Sequence, residues 1–351
     1  MYVTTVVRIT GYALLALLTL EVASRVDDFF RYGASLAAPY SINTIFQPSP
    51  YGREGKPGAR FAKWSLNSLG FRGPEINAGR TNVIVIGASE TFGLYESPNA
   101  EYPRQLEAAL NARQPDHYNV VNVAIPGMRV GRVGYLDRTI RITNPKYVVV
   151  YPTPANYIGT NAPVCAQASA PVPDMLDWED YVRLAGRVKQ LAKAHMPSGL
   201  MTAFRRVSIW TQTRHVVVME RVSQISIDAF RSDLLCVINR AKSLDVEPIL
   251  LTHATYFGST LQPQDEAMML SWRRFYPELS ESGFIDLENR ANDAIRAVGR
   301  DAGVKVVDAA LLIPRGPKYF ADFVHFTDSG AARMAALIAE QFVAQRTTHS
   351  K

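Results

Sequence analysis

Five short apolar runs, rich in β-branched residues, constrain the fold of this chain more than any other feature. Each run is continuous rather than alternating, which is typical of a strand buried on both faces in a parallel sheet. Helical patterns separate the runs, so the sequence predicts an α/β fold with helices on both faces of the sheet. The runs are NVIVIG (82–87), YNVVNVA (118–124), KYVVVYP (146–152), VEPILLTHA (246–254) and VKVVDAA (304–310).

The segments between and after these runs predict the helices. The longest gap between strands, 153–245, contains an insertion at about 157–222 that we interpret as a helical cap over one side of the domain. Its stretch DYVRLAGRVKQLAKAH is amphipathic, and we favour a solvated basic face over one that meets a polyanion or lipid headgroups. The predicted helices are 100–113, 225–244, 286–300 and 327–345.

The N-terminus is strongly apolar. From Ile9 to Leu20 twelve residues carry no charge, and back to Met1 only Arg8 interrupts the stretch. A membrane-spanning helix needs about 20 such residues. We favour an uncleaved signal anchor over 1–25, ahead of a signal peptide cleaved after residues 22–24 and of a soluble core helix.

Turn formers dominate the next segment. Residues 26–80 are rich in Pro and Gly from position 45 onward, so we interpret them as a stalk and irregular lead-in. The main domain then occupies 81–345. The composition of the whole chain is in the range of folded globular proteins, because 47% of its 351 residues are hydrophobic and 20% are charged.

The net charge and the cysteine content bear on nucleic-acid binding, metal binding and disulfide formation. A net charge of +6 over 351 residues is mild and no Lys/Arg block is present, so we expect no nucleic-acid partner. Cys165 and Cys236 are too few for a disulfide scaffold and are not spaced as a metal site. They form one disulfide if the body lies outside the cytoplasm, or two separate thiols; both alternatives stay open. We expect no metal and no cofactor.

The loop after the first run, VIVIGASETFG (83–93), excludes three familiar sites. It lacks the lysine of a Walker A loop and the three close glycines of a dinucleotide fingerprint. Thr91 stands where the nucleophile elbow of α/β-hydrolases needs glycine. What remains is Ser89 at a predicted helix N-terminus, where backbone N–H groups suit an oxyanion. Ser89 needs a base to become a nucleophile.

Residues that complete such a site follow later in the chain. Asp322 and His325 are three apart before the last helix, so the carboxylate can orient the imidazole and leave its other nitrogen for the Ser89 proton. Gly127 follows the second run and Asn156 the third, where an N–H group and an amide are candidate oxyanion donors. These positions lie at the carboxyl edge of the predicted sheet, where ligands bind in such folds.

Ser, Gly, Asn and His in this order resemble the SGNH (GDSL-like) hydrolase superfamily over most of residues 80–345. The resemblance implies that Ser89 is the nucleophile, that Gly127 and Asn156 join the Ser89 N–H in the oxyanion hole, and that Asp322 and His325 complete the relay. It also implies a three-layer α/β/α sandwich with a flavodoxin-like, five-stranded parallel sheet.

Two departures and one further similarity accompany this resemblance. Ala88 stands where the family usually has aspartate before the serine, and Tyr157 where it usually has aspartate after the asparagine. Neither carboxylate belongs to the catalytic relay, and Glu90 is a partial substitute for the first. The stretch NSLGFRGPE (67–75) is similar to the segment that precedes the first block in membrane-anchored bacterial members.

The resulting hypothesis is a membrane-anchored serine esterase with a periplasmic domain, acting on acyl esters of carbohydrate or lipid. One alternative is an O-acetyltransferase of a cell-surface polysaccharide that uses the same residues. Another is a catalytically inactive carbohydrate-binding or assembly module, which Ala88 and Tyr157 favour; the loop tests oppose a nucleotide binder. His253 is a candidate substrate contact, rival base or structural histidine, and Arg129 is a candidate substrate contact or a solvated side chain.

Overall fold

The computed structural model describes residues 2–166, 176–258 and 260–343. It begins with a long helix, α1 (Tyr2–Tyr32). Part of the predicted insertion at 157–222 and the last two residues of the predicted helix 327–345 lie outside the described residues. Within residues 5–32 of α1, an 18-residue stretch has a mean hydropathy of 1.7, and none of that stretch is buried. Helix α1 is therefore long and apolar enough to cross a membrane, as a membrane anchor or a signal sequence would be.

The lead-in folds against the domain. A 3-10 helix (Ile42–Ile45) precedes two short antiparallel pairs. Four apolar side chains of the lead-in are buried in the same core as one face of the main sheet: Ile45, Phe46, Leu66 and Phe71. The pairs are β1 (Phe46–Ser49) with β2 (Gly52–Gly55), and β3 (Arg60–Phe61) with β4 (Trp64–Ser65).

The main sheet has five parallel strands in the order β6-β5-β7-β8-β9. In chain order this is 2-1-3-4-5, the flavodoxin-like arrangement, and the predicted fold class is confirmed. Four of the five strands lie within their predicted runs, and β5 begins one residue before its run. The strands are β5 (Thr81–Gly87), β6 (Tyr118–Asn122), β7 (Tyr147–Tyr151), β8 (Glu247–Leu251) and β9 (Lys305–Val307).

Side chains of the central strands alternate between two cores. Val83 and Val85 pack with α3 and α12 on one face, whereas Ile84 and Ile86 pack with α4, α8 and α10 on the other. This two-residue period, with both faces covered, produces the three layers. The helices are α2 (Ser89–Phe92), α3 (Tyr102–Arg113), α4 (Val133–Thr143), α5 (Trp178–Tyr181), α6 (Arg183–His195), α7 (Ser198–Thr213), α8 (Gln224–Ser243), α9 (Glu266–Arg273), α10 (Glu281–Ala302), α11 (Ala309–Leu312) and α12 (Asp328–Val343).

Helix α10 begins five residues before the start that the sequence pattern predicts. Ser280 caps it, because the Ser280 side chain accepts the N–H of Gly283 at 3.0 Å. The predicted helices over 100–113 and 225–244 match α3 and α8 to within two residues.

A disulfide joins the loop after β7 to helix α8. Cys165 and Cys236 are bonded, which decides between the two alternatives left open by the sequence. Asp233, one turn earlier on α8, is fully buried and accepts the N–H groups of Val164 (3.1 Å) and Cys165 (2.9 Å). The loop is therefore fixed to α8 both covalently and by hydrogen bonds.

Replacing Cys165 and Cys236 together by serine should lower the free energy of unfolding by about 4 kcal/mol, because the bond closes a loop of 71 residues. Thermal unfolding of the full chain in detergent measures the effect as a lower Tm. A reductant should lower the Tm of the wild type to the same extent and leave the double variant unchanged. A wild-type Tm that ignores the reductant would contradict the prediction.

Candidate active site

Ser89 is the first residue of α2, directly beyond the carboxyl end of β5. The turn needs glycine at position 87, since a Cβ there would clash with Thr91 Oγ1 and lie 2.9 Å from the Tyr151 carbonyl oxygen. Gly93 ends the turn in the left-handed region, with φ +82°. The loop is thus held between the ends of β5 and β7 with Ser89 at its tip.

Arg72 fixes the far end of this loop from the lead-in. Its buried guanidinium donates to the carbonyl oxygens of Phe92 and Gly93, the latter at 2.6 Å, and to Glu101 at 3.0 Å. Arg72 lies within the stretch 67–75, so that motif acts here as a brace for the serine loop.

His325 and Asp322 form the predicted pair. His325 Nδ1 lies 2.8 Å from Asp322 Oδ2, and Asp322 Oδ1 accepts the backbone N–H groups of Val324 and His325 at 3.0 and 2.8 Å. The ring is therefore fixed in orientation. His325 Nε2 is buried and has no hydrogen-bond partner among the described residues. Burial lowers the pKa of His325, but Asp322, Glu90 and Glu96 outweigh it and raise that pKa above the ordinary 6.5.

The Ser89 hydroxyl points to a different neighbour. Ser89 Oγ donates to Glu90 Oε2 at 3.2 Å, and no hydrogen bond within the described part of the chain joins Ser89 to His325. The His325 ring nevertheless lies beside this segment, since its centre is 5.0 Å from that of the Tyr95 ring, six residues after Ser89. A serine hydroxyl moves between staggered rotamers at small cost, and catalytic contacts often tighten only when substrate binds.

Glu90 is at the centre of a buried charged array. It is 1% exposed and accepts the Thr153 hydroxyl at 3.1 Å and His253 Nε2 at 3.3 Å. His253 Nδ1 in turn lies 2.7 Å from Glu288. Burial raises the pKa of Glu90, but the two histidines outweigh it and lower it to about 2. Burial lowers the pKa of His253, but the two carboxylates raise it to about 10. The directions of these two pKa shifts favour a charged imidazolium at His253 paired with the Glu90 carboxylate.

This arrangement favours the structural interpretation of His253. Both ring nitrogens are bonded to carboxylates, and its backbone N–H and carbonyl pair with the Asn292 side chain at 2.7 and 3.0 Å. No ring nitrogen is left to contact a substrate or to accept a proton from Ser89.

Gly127 and Asn156 lie in two loops that are joined by a hydrogen bond. Ile125 N–H donates to the Gly87 carbonyl at 3.2 Å, which places the Gly127 loop beside the end of β5. Gly127 has φ +77°, a conformation that glycine adopts without strain. Asn156 Nδ2 donates to the Met128 carbonyl at 3.1 Å. An amide nitrogen has two donors, so a second N–H remains.

Arg129 braces the same loops. Its Nε donates to the Asn156 carbonyl at 2.7 Å, and its guanidinium lies 5.6 Å from the centre of the Tyr157 ring. Tyr157 is buried, and its hydroxyl donates to Asp233 at 2.8 Å. The tyrosine that departs from the family pattern thus connects the Asn156 loop to α8.

The buried array contains two residues that the sequence analysis did not identify, Thr153 and Glu288. A polar residue directly after a buried strand is a usable signal for Thr153. Glu288 has no local signal, because it meets His253 across 35 residues of chain.

Removing one member of the buried array should destabilise the fold. His253→Gln leaves the buried carboxylates of Glu90 and Glu288 without the cation between them, which costs about 3 kcal/mol or more. Glu90→Gln leaves His253 paired with Glu288 and should cost less. In the double variant only the Glu288 carboxylate of the array remains, with no second carboxylate to repel it, so the loss should be less than the sum of the two single losses. Denaturant unfolding of the four proteins measures this coupling; strictly additive losses would show that the pair acts as two independent groups.

No family model matches the chain, and no curated protein matches it. Solved structures similar to it include a lipase/acylhydrolase from Enterococcus faecalis, with 15% identity, a TM-score of 0.42, and coverage of 76% of this chain and 96% of that one. An acetyl xylan esterase has 15% identity, a TM-score of 0.42, and coverage of 74% and 98%. A GDSL-like lipase from Bacteroides thetaiotaomicron has 15% identity, a TM-score of 0.40, and coverage of 76% and 89%.

The names of these neighbours are those of a lipase/acylhydrolase, an esterase and a GDSL-like lipase. At such identities and TM-scores, the roles of Ser89, His325 and their neighbours rest on the geometry of this chain itself.

Proposed function

We propose that this protein is a serine ester hydrolase that acts on acyl esters of carbohydrate or lipid. The observation that carries the proposal is the state of His325. Asp322 fixes its Nδ1, while Nε2 is buried and has no partner among the described residues. The centre of the His325 ring lies 5.0 Å from that of Tyr95, six residues after Ser89. A polar atom held so is costly unless it has a task, and accepting a proton from a serine is such a task.

The reaction follows from these positions. The neutral His325 Nε2 accepts the proton of Ser89 Oγ as that oxygen attacks the ester carbonyl. The N–H groups of Ser89 and Gly127 and the second amide N–H of Asn156 stabilise the oxyanion. His325 then protonates the departing alcohol, which leaves the acyl group on Ser89. Water attacks this acyl-enzyme with His325 again as the base, and the acid is released as Ser89 Oγ regains its proton. A sugar hydroxyl in place of that water would make the same acyl-enzyme an O-acetyltransferase.

The proposed location is the periplasmic side of a membrane, with α1 as an uncleaved anchor. The unburied apolar stretch of α1 supports anchoring. The Cys165–Cys236 bond supports an oxidising compartment, because disulfides rarely persist in the cytoplasm.

One observation favours a second candidate, an inactive carbohydrate-binding or assembly module. The Ser89 hydroxyl donates to Glu90 rather than to His325. If this rotamer persisted with substrate present, the serine would have no base. Acyl-ester turnover separates the two candidates.

Ser89→Ala and His325→Ala should each lower kcat for p-nitrophenyl acetate by about 10³-fold or more, because each removes the proton transfer that creates the nucleophile. Ser243→Ala and His215→Ala are matched controls at exposed positions and should retain wild-type activity. Circular dichroism confirms that all four variants fold. A folded Ser89→Ala variant that is as active as the wild type would overturn the proposal.

The rate should rise with pH through a midpoint above 6.5, because the base must be neutral and the neighbouring carboxylates raise the pKa of His325. Glu90→Gln removes one of these negative charges and should shift the midpoint of kcat/KM to lower pH. Glu340→Gln, exposed on α12, is the control and should leave the midpoint in place. An unshifted midpoint in folded Glu90→Gln would show that Glu90 does not act on the base.

A further inference from the structure

Helices α6 and α7 carry large apolar side chains that the rest of the described chain leaves uncovered. On α7, Leu200, Phe204, Val207 and Trp210 are 57–63% exposed, and their spacing places them on one face. On α6, Val188 and Leu191 are 54% and 59% exposed, three residues apart. Contiguous exposed apolar side chains of this size mark a surface that meets a partner or a lipid phase.

The charges of the same segment are of one sign. Between Val182 and Met219 there are seven Lys and Arg residues and no Asp or Glu, in a chain whose net charge is only +6. Four of the seven pair with carboxylates outside this segment: Arg183, Arg187, Lys189 and Arg206. Helices that combine an apolar face with cationic side chains lie in the plane of the membrane interface, where anionic headgroups attract them. This charge pattern favours an anionic lipid surface over a second copy of the same cationic segment.

Helix α6 is attached to the end of α1 that follows the apolar stretch. Glu21 of α1 accepts the backbone N–H groups of Arg183 and Leu184 at 3.2 and 2.8 Å, so it caps the first turn of α6. Asp28 of α1 accepts from Arg187 at 2.7 Å and pairs with Arg183 at 3.4 Å. A bilayer that contains the apolar part of α1 therefore has its surface beside α6.

Two exposed aromatic side chains lie on α5, which contacts α1. Trp178 and Tyr181 of α5 are 67% and 49% exposed, and the Tyr181 carbonyl accepts a hydrogen bond from Arg25 of α1. Tryptophan and tyrosine are enriched where hydrocarbon meets headgroups, because one part of each ring system is apolar and another is polar.

We propose that α5, α6 and α7 lie on the surface of the membrane that holds α1, with their exposed apolar side chains in the boundary between headgroups and acyl chains. The inference rests on the anchoring proposed for α1 and goes beyond it, since an anchor alone leaves the domain free to tilt. A second contact beside the anchor fixes the orientation of the catalytic domain relative to the lipid surface.

The test uses the full chain in nanodiscs of phosphatidylcholine and phosphatidylglycerol that contain a doxyl-labelled lipid as quencher. The two native cysteines are bonded to each other, so one introduced cysteine is the only free thiol for a fluorophore. Val188→Cys and Val207→Cys report on α6 and α7. Leu14→Cys on α1 reports on anchoring, and Leu311→Cys, 72% exposed on α11, is the control for an exposed apolar position.

Quenching at Val188→Cys and Val207→Cys is expected to exceed that at Leu311→Cys several-fold and to decrease in discs without phosphatidylglycerol. Quenching at both positions no greater than at Leu311→Cys overturns the inference. If Leu14→Cys is quenched in that case, the anchor stands and only the surface contact fails. If Leu14→Cys is not quenched, anchoring fails separately. Energy transfer between two copies in one disc, with no lipid quenching, would replace the membrane by a second copy and also overturn the inference.

Discussion

The buried carboxylate of Glu90 is the constraint on which the rest of the site depends. A charge this far from water is tolerated only if opposite charge and hydrogen bonds surround it. The Thr153 hydroxyl and His253 supply them, and these residues follow the ends of β7 and β8. Glu90 itself follows β5, so the hydrogen bonds that neutralise its charge connect the segments that follow three strands, β5, β7 and β8. Ser89 is the residue directly before this anchored point.

The loop that presents Ser89 is held from both sides. Glu90 fixes it from within the domain, and Arg72 fixes its far end from the lead-in through the carbonyl groups that end α2. The nucleophile proposed on this loop would be preorganised, since its backbone N–H groups cannot move away from a developing oxyanion. The lead-in thus supports the loop that carries Ser89, a role that its Pro- and Gly-rich composition did not reveal. The absence of aspartate at Ala88 is tolerable in this arrangement because Glu90 puts a carboxylate in the same loop.

Much of the fold was predictable because it is encoded locally. The apolar runs identified all five strands of the main sheet, and the right-handed connections of parallel sheets restrict their order. The pairing of Asp322 with His325 was also predictable, since a separation of three residues in one turn leaves few other arrangements. The contact between Ser89 and Glu90 was not, because rotation about one bond decides which neighbour the hydroxyl meets.

By itself the sequence determined the alternation of strands and helices, the order of the four motif blocks and the apolar length of α1. These depend on periodicity and spacing within a few turns of chain. Only the tertiary structure decided that Glu288 would pair with His253, that Cys165 would reach Cys236, and that the apolar face of α7 would stay uncovered. Each of these joins or separates residues far apart in the chain, and packing of the whole domain rather than local preference sets such distances.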